Sequence, residues 1–288
     1  MSDRYRQLLD ATLQHIEGLK ARGVRHLAVT PETLRALARP PSAAPKVPAA
    51  PLKPLGQVRP PATKSVPMPE IPLAAAAARS SAEKAAAYAA LRERALACVR
   101  CPPLAASRQQ VVFGAGSLEA SILFVGEAPG AEEETQGEPF VGEAGQLFTK
   151  ILQAAGLSRA EVYITTLLKC RPSMPGSSAD NRKPTPEETA ACLPYLYEQI
   201  DLIRPQVIVA LGATAVEGLL GKTAPISKLR GHWQSHRGTP LMPTYHPAYL
   251  LRNPSLQEKR KVWEDLLQVM EKVGMPISDK QRGFFLKA

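Results

Sequence analysis

The sequence predicts an α/β protein: a three-layer α/β/α fold with a central, mostly parallel four-stranded sheet. Three observations carry this expectation. The runs "SILFV" at 121–125, "VYITTLL" at 162–168, "QVIVAL" at 206–211 and "PLMPTY" at 240–245 are largely apolar, as strands buried on both faces are. The stretches "EAGQLFTKILQAAG", "PEETAACLPYLYEQIDLI" and "ATAVEGLLG" separate several of them, and strands alternating with helices make a parallel sheet covered on both sides. Each run leads into an unusual loop, "GEAPG", "KCRP", "LGATA" and "HPAY". Ligands of such sheets bind beyond the carboxyl ends of the strands, so these four loops form one candidate rim.

In chain order, residues 4–22 place Tyr5, Leu8, Leu9, Leu13, Ile16 and Leu19 on one helical face. Gly23 suits a C-cap, and Thr30-Pro31 suits the start of a short helix ending near Ala38. Residues 1–38 are therefore a small helical element. Residues 39–80 are crowded with proline and poor in apolar bulk, which predicts a semi-extended, disordered linker. The main domain spans 81–274. It opens with an Ala-rich helix capped by Ser81, continues with a short apolar run "QVVF" at 110–113, and closes with a helix over roughly 255–272. Residues 275–288 form a flexible tail.

With 288 residues and 44% hydrophobic content, the chain can build a core and is not wholly disordered. A formal net charge of +10 points to a polyanionic partner, nucleic acid or an anionic membrane. No apolar stretch is long enough to span a bilayer, and the charged start "MSDRYRQLLD" lacks the apolar centre of a signal peptide. A cytoplasmic setting follows, in which the four cysteines bind metal rather than pair as disulfides. Cys98 and Cys101 form one C-x-x-C, while Cys170 and Cys192 stand singly. Four thiolates suit tetrahedral zinc or a [4Fe–4S] cluster, and spacing alone favours zinc. Cys170 and Cys192 also read as small buried hydrophobes.

Five ordered segments, "GEAPGAEEETQGEPFVGEAGQLF", "VYITTLLKCRP", "LGATA", "LRGHW" and "TYHPAYLLR", together with the cysteines, resemble the family 4, iron–sulfur uracil-DNA glycosylases over about residues 90 to 272. The resemblance implies a uracil-DNA glycosylase-like fold, excision of uracil from DNA by base flipping, and an abasic product. It also turns the metal reading toward a [4Fe–4S] cluster on Cys98, Cys101, Cys170 and Cys192, with structural zinc as the alternative. The stretch "SMPGSSAD" lengthens the Cys170–Cys192 interval and reads as a surface-loop insertion.

The resemblance and the chemistry assign roles residue by residue. Breaking an N-glycosidic bond makes the sugar cationic and the departing base anionic, so the site needs a carboxylate near the sugar and a donor near the base. Glu127 fills the first role and His246, donating to uracil O2, the second. The base pocket is expected from Gly126, Ala128, Glu133, Phe140 and Thr166, with Phe140 stacking on the flipped base and Glu133 crowding the methyl of thymine. Glu132 and Glu134 read as a solvated acidic edge. Leu250 is the wedge that fills the gap left by the base, and Arg252, Arg230 and the helix start at Thr214 meet phosphates. Thr166 departs from the family pattern, which places an asparagine there to read uracil. The departure leaves open a changed base preference (hypoxanthine or xanthine) or a lesion-binding protein with weak turnover. The expected partner is single-stranded or duplex DNA containing uracil, acted on by a monomer. Gln281 with Phe284 and Phe285 loosely resembles the peptides that dock on replication sliding clamps.

Overall fold

The computed structural model describes residues 80–173 and 181–286. The expected N-terminal element, nearly all of the linker, and most of the "SMPGSSAD" insertion lie outside the described residues. Six strands form one sheet: β1 (Ala115–Gly116), β2 (Ile122–Gly126), β3 (Tyr163–Thr166), β4 (Val207–Leu211), β5 (Gln234–His236) and β6 (Thr239–Thr244), in the order β1-β3-β2-β4-β6-β5. The four central strands β3, β2, β4 and β6 are parallel, as expected, and β1 and β5 add antiparallel edges. The sheet is thus mixed, with six strands where four were expected.

Period-2 alternation sends successive side chains to opposite faces. Ile122 and Phe124 of β2, with Val207, Val209 and Leu211 of β4, join one core cluster. Leu123, Val125, Ile208 and Ala210 join the other. Helix α4 (Glu143–Ala154) covers the first face through Phe148 and Leu152, beside α9 (Leu256–Lys272) with Trp263, Leu266 and Val269. The second face is covered by α5 (Pro186–Ile203) through Leu196 and Ile200, and by α6 (Ala213–Leu220) through Val216 and Leu219. Helix α1 (Ser81–Leu96) packs Leu91 and Ala95 near Tyr195 and Leu202 of α5.

Local chemistry explains the boundaries. The cap of α1 is Ser80 rather than Ser81: Glu83 N–H donates to its hydroxyl at 3.3 Å while the Glu83 carboxylate accepts from Ser80 N at 2.8 Å. Such a reciprocal cap is worth about 1 kcal/mol. Thr185 caps α5 in the same way with Glu188. The run "QVVF" is not a strand. Its residues Val111, Val112 and Phe113 are buried, but the Phe113 carbonyl accepts from Gln199 Nε2 at 2.9 Å and Thr165 Oγ1 at 3.1 Å, side chains that replace a ladder partner. The hairpin β5–β6 turns at Arg237 and Gly238, both at positive φ, the conformation of a tight hairpin turn.

The tail also differs from expectation. Ser278 caps α10 (Asp279–Arg282), and Trp263 Nε1 donates to the Gln281 carbonyl at 2.6 Å. Gln281 Nε2 donates to Ala154 O at 3.0 Å, and Phe284 lies 5.3 Å from the Trp263 ring. Residues up to Phe284 are therefore docked rather than loose, because Trp263 offers them both an apolar face and a donor. Phe285 and Leu286 remain exposed.

Candidate active site

Strand register decides which loops meet. Gly126 pairs with Thr166 and Leu211 with Thr244, so all four parallel strands end on one edge of the sheet. At that edge a cavity of about 160 Å³ is lined by Ala128, Gly130, Glu133, Phe140, Ala144, Thr166, Asn181 and His246. The structure thus brings together Ala128, Glu133, Phe140, Thr166 and His246, five of the residues expected from sequence.

Phe140 occupies the strained left-handed region, φ 57°, which costs a bulky residue roughly 1–3 kcal/mol. Arg159, two glycines and the Glu133 carboxylate hold it there. Arg159 donates to the carbonyls of Pro139 at 2.6 Å and Phe140 at 3.0 Å. Gly145 leaves room for the Phe140 backbone, since a Cβ there would stand 2.0 Å from its carbonyl carbon. Gly126 does the same for the ring, whose Cζ would lie 2.6 Å from an added Cβ. That is the place of Gly126 in the site.

Glu133, expected to crowd thymine, is engaged as a clamp. One oxygen accepts from Val141 N and Gly142 N, both at 3.0 Å, and the other from Gly130 N at 3.0 Å. A single carboxylate therefore closes the loop that carries Phe140, with charge-assisted bonds of about 1.5–3 kcal/mol each. Glu134, expected as a solvated acid, is buried and lies 3.6 Å from the equally buried Arg171. Helix α3 (Ala131–Gln136) turns one of its acids inward to meet that cation.

Beyond the short helix α7 (Ile226–Leu229), His246 caps α8 (Pro247–Arg252), and its Nδ1 accepts from Ala248 N at 3.1 Å. An accepting Nδ1 places the ring proton on Nε2. Burial pushes the His246 pKa down to about 4; Arg252 adds to the depression and Glu133 opposes it. The imidazole is consequently a neutral donor near pH 7. Its ring lies 5.4 Å from that of Phe140, with 30° between the planes.

Glu127 leaves β2 on the same loop and is half-buried, but it does not line the cavity, and no hydrogen bond to its carboxylate is found among the described residues. Thr166 is fully buried, and its hydroxyl donates to Leu168 O at 2.6 Å. Of the expected DNA contacts, Arg252 is exposed beside His246. Thr214 opens into a different groove, with Lys183 and Glu217. Two expectations are corrected. Leu250 is buried with Tyr245 and Val262, and Leu251 is the exposed leucine of α8. Arg230 pairs with both oxygens of the buried Asp265 and donates to Lys261 O at 2.5 Å. Its guanidinium is spent inside the protein.

The four cysteines line one cavity, with Leu104, Leu168, Tyr195, Arg108 and Lys169. Cys98 follows α1, Cys101 caps α2 (Pro102–Ser107), Cys170 follows β3, and Cys192 lies within α5. Lys169 N donates to Cys192 Sγ at 3.2 Å and Arg108 to Cys170 Sγ at 3.5 Å, contacts that favour thiolates. Burial pushes the Cys192 thiol up to about 11 and raises Cys101 and Cys170, so thiolates persist here only beside a neutralising cation. The donor set fits a thiolate-bound metal group, although no three metal-binding side chains among the described residues form a preformed cage. Sequence reasoning missed Lys169, whose buried Nζ donates to Thr165 Oγ1, Thr166 O and Gln199 Oε1 at 2.5–2.8 Å, and whose pKa burial lowers to about 7. It also missed Asn181, which directly follows the insertion and carries no periodic signal.

Four parallel central strands, with the Phe140 ring beside a neutral His246 imidazole at their carboxyl edge, define an α/β fold of the doubly wound class with a candidate ligand cavity. The family model described as the uracil DNA glycosylase superfamily matches residues 113–267. The chain belongs to that superfamily, in its type-4 branch. A type-4 uracil-DNA glycosylase of Thermotoga maritima is 48% identical over 60% of this chain and 88% of its own length. Those of Pyrobaculum aerophilum (42% identical, over 56% of this chain and 82% of its own length) and Sulfurisphaera tokodaii (40%, over 61% and 79%) are also similar.

Proposed function

We propose that the chain is a monofunctional uracil-DNA glycosylase that hydrolyses the N-glycosidic bond of a flipped-out uracil and leaves an abasic site. The observation that carries this reading is His246: a neutral imidazole with its proton on Nε2, beside an aromatic face, in a cavity at the carboxyl edge of the sheet. As the C1′–N1 bond breaks, the electron pair leaves with uracil, and negative charge gathers on its oxygens. A neutral donor aimed at O2 stabilises that anion without transferring a proton. Water then adds its oxygen to C1′, and its proton is released. Glu127, half-buried and without a partner among the described residues, supports the sugar cation and aligns the water. Phe140 stacks on the base, and Thr166 closes the back of the slot.

On the DNA side, Arg252 meets a phosphate and the helix start at Thr214 is a further candidate contact. With Leu250 buried, Leu251 takes the wedge role. Among the described residues no helix is long and apolar enough to cross a membrane. The proposed setting is a monomer that acts on chromosomal DNA in the cytoplasm. Cys98, Cys101, Cys170 and Cys192 would hold a [4Fe–4S] cluster, the fit of which rests on the shared cavity and the N–H donors to sulfur. Through these four ligands a bound cluster would tie α1, α2, the end of β3 and α5 into one unit. Sliding-clamp docking would require Gln281 and Phe284 to leave Ala154 and Trp263, so Phe285 and Leu286 are the residues free to engage a clamp.

Incubation with a single-stranded oligonucleotide carrying one uracil tests this reading. Free uracil and an alkali-labile site should appear, with no strand break before alkali. Strand scission without alkali would exclude a monofunctional enzyme.

A further inference from the structure

Thr166 cannot supply the donor that uracil O4 requires, because its single hydroxyl proton goes to Leu168 O at 2.6 Å. Another wall of the same cavity can. We propose that Asn181 reads the Watson–Crick edge of the base, accepting from N3–H with Oδ1 and donating to O4 with Nδ2. The proposal rests on the uracil-excising reading of the cavity and assigns its specificity.

A carboxamide has two N–H groups and two lone pairs on oxygen. Among the described residues two of these four positions are occupied, by partners that fix the amide's orientation. Arg171 Nε, which can only donate, contacts Oδ1 at 2.8 Å. Pro129 O, which can only accept, contacts Nδ2 at 2.8 Å. The two ends therefore cannot be exchanged. One N–H and one lone pair remain, the complement of O4 and N3–H of uracil. Cytosine presents an amino group and a bare N3 there, which oppose both groups.

The amide is also held in place. Arg171 is buried against Glu134, and an antiparallel bridge joins Asn181 to Ser173 directly after the "KCRP" loop. That bridge anchors Asn181 to the strand end, so the insertion between them need not set its position. His246 serves O2, on the other side of N3, and Asn181 completes the reading of the edge.

The test is a cycle between enzyme and base, with single-turnover excision from single-stranded oligonucleotides. One carries uracil, the other pyrimidin-2-one, which lacks both O4 and N3–H. Asn181→Ala should slow uracil about ten- to a hundredfold, the cost of a lost buried hydrogen bond, and leave pyrimidin-2-one within about twofold of wild type. Asn181→Asp, which keeps the shape but loses the donor, should slow uracil and raise cytosine excision relative to uracil about tenfold or more. Equal slowing of uracil and pyrimidin-2-one by Asn181→Ala, or an unchanged uracil rate, overturns the assignment, as does an unchanged cytosine-to-uracil ratio in Asn181→Asp. A folded wild type that excises no uracil would instead overturn the glycosylase reading itself.

Discussion

Phe140 and His246 come from loops more than a hundred residues apart, yet their rings lie 5.4 Å apart, 30° from parallel. Phe140 reaches that position in a strained conformation held by Arg159, Glu133, Gly126 and Gly145. Gly145 gives the sharpest test of this support. In a helix, Gly→Ala should stabilise by about 1 kcal/mol. Here the added Cβ would meet the Phe140 carbonyl at 2.0 Å, a clash with backbone that cannot rotate away. Gly145→Ala should therefore lower the melting temperature and activity together, and a stabilised, fully active variant would contradict the packing argument.

His246 sets a pH dependence with a defined sign. Its folded pKa, about 4, lies below the ordinary 6.5, so the unfolded chain binds the proton first as pH falls. The stability contributed by the neutral ring is complete above pH 6.5 and is lost between about 6.5 and 4. Thermal melts of wild type and His246→Gln should diverge over that window. Excision from pH 5.5 to 8 should show no limb belonging to His246, because the ring stays neutral throughout.

Arg230 and Arg252 should behave differently toward DNA. Arg252→Ala should weaken binding across sequences and reduce the salt slope by about one. Asp265→Ala should leave the salt slope alone and cost roughly 3–5 kcal/mol of stability, since it strands the Arg230 charge and the Thr244 hydroxyl. Urea melts and salt-dependent binding isotherms separate the two effects.

With the proposed cluster on the four cysteines, Cys170→Ser should lower iron content and thermal stability before it lowers turnover per folded molecule. The cysteines lie apart from the His246 cavity, and glycosidic hydrolysis needs no electron transfer. A cluster-free variant of full stability would contradict a structural role.

The elements legible in the sequence were those with long, unbroken periodicity. Helix α5 has the bounds of the segment that predicted it, Pro186–Ile203, because Thr185 and Glu188 cap it locally. The loops at the strand ends were legible through Gly126, Phe140 and His246. Features set by distant partners were not. Whether Leu250 or Leu251 faces solvent depends on Tyr245 and Val262, and the six residues of α8 carry too little pattern to decide it. Arg230 resembled a phosphate contact because its partner, Asp265, lies on another helix. Strand β5 was hidden in three polar residues before an Arg-Gly turn, and Glu134 among exposed acids.

Uracil excision assigned to the His246 cavity is tested most directly by single-turnover assay of uracil-containing single-stranded DNA, with wild type and His246→Ala compared at pH 7. Loss of the O2 donor should slow excision about a hundredfold or more while the protein stays folded at assay temperature. A folded His246→Ala variant that excises uracil at the wild-type rate would contradict the account.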